Sequence, residues 1–166
     1  MKTYLSIFFA FVFSLSLMAQ GDFIPFGSNQ NSKETDPIRT INDNGLNGID
    51  IQYKFSGAWF STHEVEGVSY QKINIPGFSY LMEIGKPALP SHNDIIAVPV
   101  GATAQVEIIS YDVTEITDVV VFPTLEPAAD FVGAPEPEFE IDEAFYRSNT
   151  IYPEKLVDID AINYYR

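Results

Sequence analysis

The chain has 166 residues, and its 23 Asp and Glu against 9 Lys and Arg leave a formal net charge of −14. A balance this acidic argues against nucleic acid as a partner, because the phosphates would repel it. Cysteine is absent, which excludes a cysteine nucleophile, a thiolate zinc site and a redox motif within this chain.

The first residues set the compartment. Lys2 gives a positive start, and Leu5 to Leu17 is an apolar run too short to span a bilayer. Small Ala19 then precedes the polar Gln20-Gly21-Asp22. This is the pattern of a signal peptide over residues 1–19, cut between Ala19 and Gln20 and handled by the Sec export machinery. Its removal takes away Lys2, moves the charge from −14 to −15, and leaves no long apolar segment, hence no expected transmembrane span.

Residues 20–45 are polar and irregular, with Gly27-Ser28-Asn29-Gln30-Asn31-Ser32-Lys33 at their centre. They read as a flexible leader. Asn44-Gly45 and Asn47-Gly48 are turn signals. From there the period is two. Ile49, Ile51, Tyr53 and Phe55 alternate with Asp50, Gln52, Lys54 and Ser56, which predicts a half-buried strand continuing through Ala58-Trp59-Phe60 past a bulge at Gly57. Further strands are expected at Val68–Ile75, Tyr80–Ile84, Ile95–Val100, Ala104–Tyr111 and Ile116–Phe122, the last stopped by Pro123. Short strands with frequent Gly and Pro stops indicate an all-β fold, an antiparallel β-sandwich of jelly-roll type over residues 46–166.

Residues 123–146 combine four prolines with many carboxylates and read as an extended, solvated connection, with one helical turn at Asp142–Tyr146. Beyond Tyr152-Pro153, the apolar Leu156, Val157, Ile159 and Ile162 are expected to pack back on the core. Tyr164-Tyr165-Arg166 is strand-like with no terminator, so the domain reads as truncated at its C-terminal end.

Two motifs bring a family into view. Gly85-Lys86-Pro87-Ala88-Leu89-Pro90 fits the G-x-P-x-L-P signature of gingipain-type cysteine-peptidase propeptides. Ile95–Ala102, with Pro99 and Gly101, is similar to that family's hydrophobic–Pro–x–Gly strand end; Tyr152-Pro153 and Tyr165-Arg166 resemble later landmarks. The physics of the first motif stands without the name. Pro87 and Pro90 bias Lys86 and Leu89 to extended conformations, and Gly85 permits a positive-φ turn, leaving Leu89 free to plug the core.

The resemblance implies a sandwich prodomain that acts as an intramolecular chaperone and keeps its peptidase latent by blocking the catalytic cleft. The partner is then the cognate catalytic domain in cis, encoded downstream, and this chain itself is not an enzyme and needs no cofactor. It also implies export to the periplasm of a Gram-negative bacterium, then type IX secretion or cell-surface display. In such propeptides a basic loop residue can enter the specificity pocket. Arg147 is the candidate by position and Lys86 a second one, although a local ion pair accounts for Arg147 equally well.

Other constellations have plainer readings. Ser91-His92-Asn93-Asp94 holds triad residue types, but adjacent residues do not converge as a triad and read as a turn. His63 and His92 are the only histidines, with no metal-site spacing, so no metal site is expected. Glu136, Glu138, Glu140, Asp142 and Glu143 lack a calcium-loop pattern and read as a solvated face. Trp59, Phe60, Tyr70, Phe78 and Tyr80 suit either a core or a sugar-stacking platform. The alternative to a prodomain is therefore a secreted, non-catalytic β-sandwich binding module of carbohydrate or adhesin type.

Overall fold

The computed structural model describes residues 21–27, 33–45, 48–99, 101–131, 133–135, 137–148 and 150–159. The signal peptide with its Ala19/Gln20 cut, Ile162 and the terminal Tyr164-Tyr165-Arg166 run lie outside these. Among the described residues, seven strands pair antiparallel and one short helix is present, which establishes the all-β class. The strands form sheets of three, two and two, rather than two large facing layers.

The three-stranded sheet has the order β1 (Asp22–Pro25), β4 (Gly57–Val65), β5 (Val68–Asn74). β4 and β5 form a hairpin with Val65 opposite Val68. Its turn residues Glu66 and Gly67 have φ of 51° and 80°, the paired positive values that match the twist of a two-residue hairpin. The second sheet is the hairpin of β2 (Ile38–Asp43) and β3 (Ile49–Lys54), with the Asn44 N–H donating to Gly48 O at 2.9 Å where the two strands connect. The third is minimal: β6 (Ser79–Tyr80) against β7 (Pro90–Ser91).

The alternation of β3 is realised, with Ile51 and Tyr53 half-buried and Asp50, Gln52 and Lys54 exposed. β3 does not run on into β4 through a bulge, however. The chain breaks at Phe55-Ser56, and the two strands belong to different sheets. Both β1 and β2 fall within the 20–45 stretch that composition marks as a leader. Phe23 and Trp59 explain β1, their rings 5.5 Å apart across the β1–β4 pair. Two apolar side chains are enough in a polar stretch when a neighbouring strand supplies the hydrogen bonds.

The core lies between β4, β5 and the segment Val120–Thr124. Ala58, Phe60, Tyr70, Phe122 and Thr124 are buried, and Pro123 is fully so. Phe122 packs edge-on to Tyr70, and Phe139 meets both rings at 5.2 and 5.6 Å. Burial alternates along this stretch: Phe139 and Ile141 are half-buried while Glu138, Glu140 and Asp142 are exposed. The acidic connection is thus one-sided rather than fully solvated, a period-two pattern masked in the sequence by its many carboxylates.

Among the described residues, which leave out Val100, the expected strands at Ile95–Val100 and Ala104–Tyr111 do not form, and of Ile116–Phe122 only the end pairs. Among the described residues, none of the backbone–backbone hydrogen bonds involves residues 103–119. Ile95, Ile109, Tyr111 and Val113 are each at least 70% exposed. Alternation marks a chain fit for a sheet, but a strand exists only where a neighbour supplies its ladder. For the same reason Leu156, Val157 and Ile159 remain exposed instead of packing back.

Candidate functional site

The G-x-P-x-L-P loop is where distant parts of the chain meet. Its partner on one side is Val120–Thr124, which also joins β5: the Gln71 N–H donates to the Val120 carbonyl and the Phe122 N–H to the Gln71 carbonyl, both at 2.8 Å. On the loop side, Ala88 N–H donates to Phe122 O at 2.9 Å, and Thr124 N–H to Lys86 O at 2.8 Å. The buried Thr124 hydroxyl donates to Leu81 O at 2.8 Å. Pro123 therefore does not stop the chain's pairing. Leu89 is half-buried, and its carbonyl accepts from the Leu81 N–H at 3.0 Å; Pro90 starts β7 opposite Tyr80.

The loop's other partner is the turn that carries Arg147. Gly85 has φ of 77°, and its carbonyl accepts from the Asp142 N–H at 2.9 Å. A Cβ at Gly85 would sit 3.0 Å from the Asp142 nitrogen, so the position requires both glycine's dihedral freedom and its missing side chain. Asp142 caps the helical turn α1 (Glu143–Tyr146), its Oδ1 accepting from the Phe145 N–H at 2.9 Å, as an N-cap aspartate should. The Tyr146 hydroxyl donates to Val121 O at 2.7 Å and ties the turn back to the core. Burial, with the neighbouring Tyr70 and Tyr152, raises the Tyr146 pKa far above that of a free phenol.

Lys86 fills the angle between loop and turn. Its Nζ is 2.5 Å from Glu83 Oε2, 5.3 Å from the Phe145 ring centre and 5.8 Å from that of Tyr152. The two rings pack edge to face at 5.2 Å, and the Tyr152 hydroxyl reaches Glu83 at 3.4 Å. The hydrogen bond to Glu83 chiefly raises the Lys86 pKa, with Asp142 and Glu154 adding to it. The Tyr152–Pro153 peptide is cis.

Arg147 has a different setting. It is the C-cap of α1, its side chain is 78% exposed, and its ion pair is with Glu143 one turn earlier, at 2.5 Å. A pair this exposed contributes roughly 0–1 kcal/mol and leaves the guanidinium available. In the sequence, the span from Pro87 to Tyr146 holds twelve carboxylates and no Lys or Arg. Pro99 and Gly101 lie away from this region in an exposed turn closed by Ala102 N–H on Pro99 O at 3.0 Å.

The remaining candidates separate. Asp94 pairs with Arg39 at 2.5 Å and accepts from the Tyr53 hydroxyl, pinning the β2–β3 hairpin, while His92 packs against Phe78 at 5.0 Å and Tyr53 at 5.6 Å. Ser91-His92-Asn93-Asp94 is thus a structural corner with no nucleophile–base contact among the bonds it makes. It borders a shallow, open pocket of about 370 Å³ lined by Arg39, Tyr53, Phe78 and His92. The aromatics of the proposed platform are dispersed: Trp59 pairs with Phe23 and donates to Glu34, Phe60 and Tyr70 are in the core, and Phe78 is at this corner. Among the described residues, no three His, Asp or Glu side chains converge as a metal set, and no helix is long and apolar enough to cross a membrane.

Sequence reasoning found the loop and the turn separately but missed Glu83, Phe145 and Tyr152 as their joint. The one available signal was aromatic residues flanking Arg147 on both sides.

Comparison with known proteins agrees with the loop signature. A stretch of 72 residues is 32% identical to Lys-gingipain and to Lys-gingipain 381, both of Porphyromonas gingivalis. That stretch is 43% of this chain and 4% of each relative, so the chain spans a small part of their length. No solved structure matches. The family model Propeptide_C25 matches residues 29–166, and the chain belongs to that family, the propeptides of gingipain-type C25 peptidases.

Proposed function

We propose that this chain is the prodomain of a secreted gingipain-type cysteine peptidase, which assists folding of the catalytic domain and holds it latent by covering its cleft. The observation that carries this reading is the setting of Arg147: an exposed cation at the end of a capped turn, next to a long stretch free of other Lys or Arg. A guanidinium so placed suits an acidic specificity pocket in the peptidase, while the surrounding carboxylates suit a more basic rim and orient the encounter. Lys86 is less suited to that task, because Glu83 and two aromatic rings already engage its ammonium. Export by the signal peptide at 1–19, passage through the periplasm and display outside a Gram-negative cell belong to the same reading.

The test is inhibition in trans. The chain without residues 1–19 is added to the mature peptidase, and hydrolysis of a small peptide substrate is followed. Inhibition at micromolar concentration or below is expected, weakened at least about tenfold by Arg147→Ala, as for a desolvated arginine anchor. No inhibition at that concentration would overturn the docking mechanism, and full potency of Arg147→Ala would remove that residue from it.

A further inference from the structure

Arg147 stands on an arch whose two feet, Phe145 and Tyr152, lie close in sequence and share one contact. The first foot is Phe145, two residues before Arg147, and the second is Tyr152, five residues after it. Both rings face the Lys86 ammonium, at 5.3 and 5.8 Å, and each other at 5.2 Å. Glu83 closes the cluster through its ion pair to Lys86 and its contact with the Tyr152 hydroxyl. The neighbouring Gly85 carbonyl holds Asp142, the cap of α1. Between the feet, Tyr146 is half-buried and tied to Val121 O, while Arg147, Ser148, Thr150 and Ile151 are exposed, Ile151 at 83%.

These contacts lie against the G-x-P-x-L-P loop, and none of them engages the Arg147 side chain, which is 78% exposed and paired with Glu143. A cation between two aromatic faces is attracted to both ring quadrupoles, and an ion pair fixes where that cation sits. The chain from Phe145 to Tyr152 is therefore closed at its base by the contact between these two rings, with the Lys86 ammonium over both. A loop held in its bound shape before encounter loses less entropy on docking.

We propose that Lys86 is a positioning residue: it ties Phe145 to Tyr152 and so presets the arch from which Arg147 engages the peptidase. The signature loop then serves to hold the inhibitory turn rather than to touch the enzyme. This rests on the prodomain reading above for its effect on inhibition, but the closing of the arch is a property of the free chain.

Two measurements separate the parts. In the free chain, amide hydrogen exchange is compared between the arch, residues 143–151, and the β4–β5 hairpin. Lys86→Met keeps the stem and removes the charge; it is expected to speed exchange in the arch at least about fivefold, the lower end for two lost exposed cation–π contacts, with β4–β5 unchanged. Lys86→Arg restores protection. Against the mature peptidase, Lys86→Met is expected to weaken inhibition by a similar factor, and to add nothing in combination with Arg147→Ala, since the arch then has no anchor to present. Unchanged arch exchange in Lys86→Met overturns the proposal, as does faster exchange throughout the chain. Arch exchange that responds while Arg147→Ala leaves inhibition intact overturns Arg147's role and leaves the arch closure standing. Additive losses in the double variant would place Lys86 in direct contact with the enzyme and overturn the positioning role.

Discussion

Pro87 and Pro123 face one another across an antiparallel bridge in which neither requires an N–H. The bonds on either side come from their neighbours, Ala88 N–H to Phe122 O and Thr124 N–H to Lys86 O. A proline usually ends pairing because it has no donor. In the pair type where opposed residues exchange no bonds with each other, that lack costs nothing. Two prolines thus join the signature loop to the core segment, and the rigid φ of each limits how far that joint can move.

Gly85→Ala should destabilise the chain. The αL conformation costs a non-glycine residue about 1–2 kcal/mol, and a Cβ 3.0 Å from the Asp142 nitrogen adds strain at the hydrogen bond that starts the Arg147 turn. Urea unfolding is expected to show an unfolding free energy lower by about this amount, read as a lower midpoint with the m-value unchanged. An unaltered midpoint would mean that the loop adopts another course.

Stability should fall on mild acidification because of His63. Burial first, and the nearby Lys72 second, hold its pKa below the usual 6.5. Its ring packs on Phe122, with Ser61 Oγ 3.4 Å away on its own strand and Tyr70 opposite in register. Below about pH 6.5 the unfolded chain then binds a proton that the folded chain still refuses, so folding loses free energy as pH drops towards the folded-state pKa; above pH 7 the group contributes no slope. Thermal unfolding between pH 7 and 5.5 is expected to show this decline, and His63→Phe to flatten it.

The opposite sign applies to Tyr146. Burial first, and the neighbouring Tyr70 and Tyr152 second, raise its pKa, and the protonated hydroxyl donates to Val121 O. The associated stability is complete below the phenol's ordinary value of 10.0 and is lost as pH climbs beyond it, since the unfolded chain ionises first. Absorbance titration at alkaline pH should find one tyrosine ionising only with unfolding. Tyr146→Phe should abolish that late step and cost about 1 kcal/mol at neutral pH, the net worth of one hydrogen bond.

Local chemistry carried much of this protein in plain view. The alternation of Ile51 to Lys54, the Asn44-Gly45 turn signal, the Asp142 cap and the Gly85 turn each depend on a residue's own dihedral or side-chain preferences, and each lies where the sequence puts it. The family signature was legible for the same reason. What only the tertiary structure decided is partnership. Backbone donors and acceptors are identical at every residue, so the alternation in Ala104–Tyr111 says which faces are apolar but not whether a neighbouring strand exists. Val120–Thr124 pairs with β5 and with the signature loop, some fifty and forty residues away, and Lys86 meets Phe145 and Tyr152 across sixty. Such contacts form because the intervening chain closes over a shared core around Phe122, and no local preference of the residues involved encodes that closure.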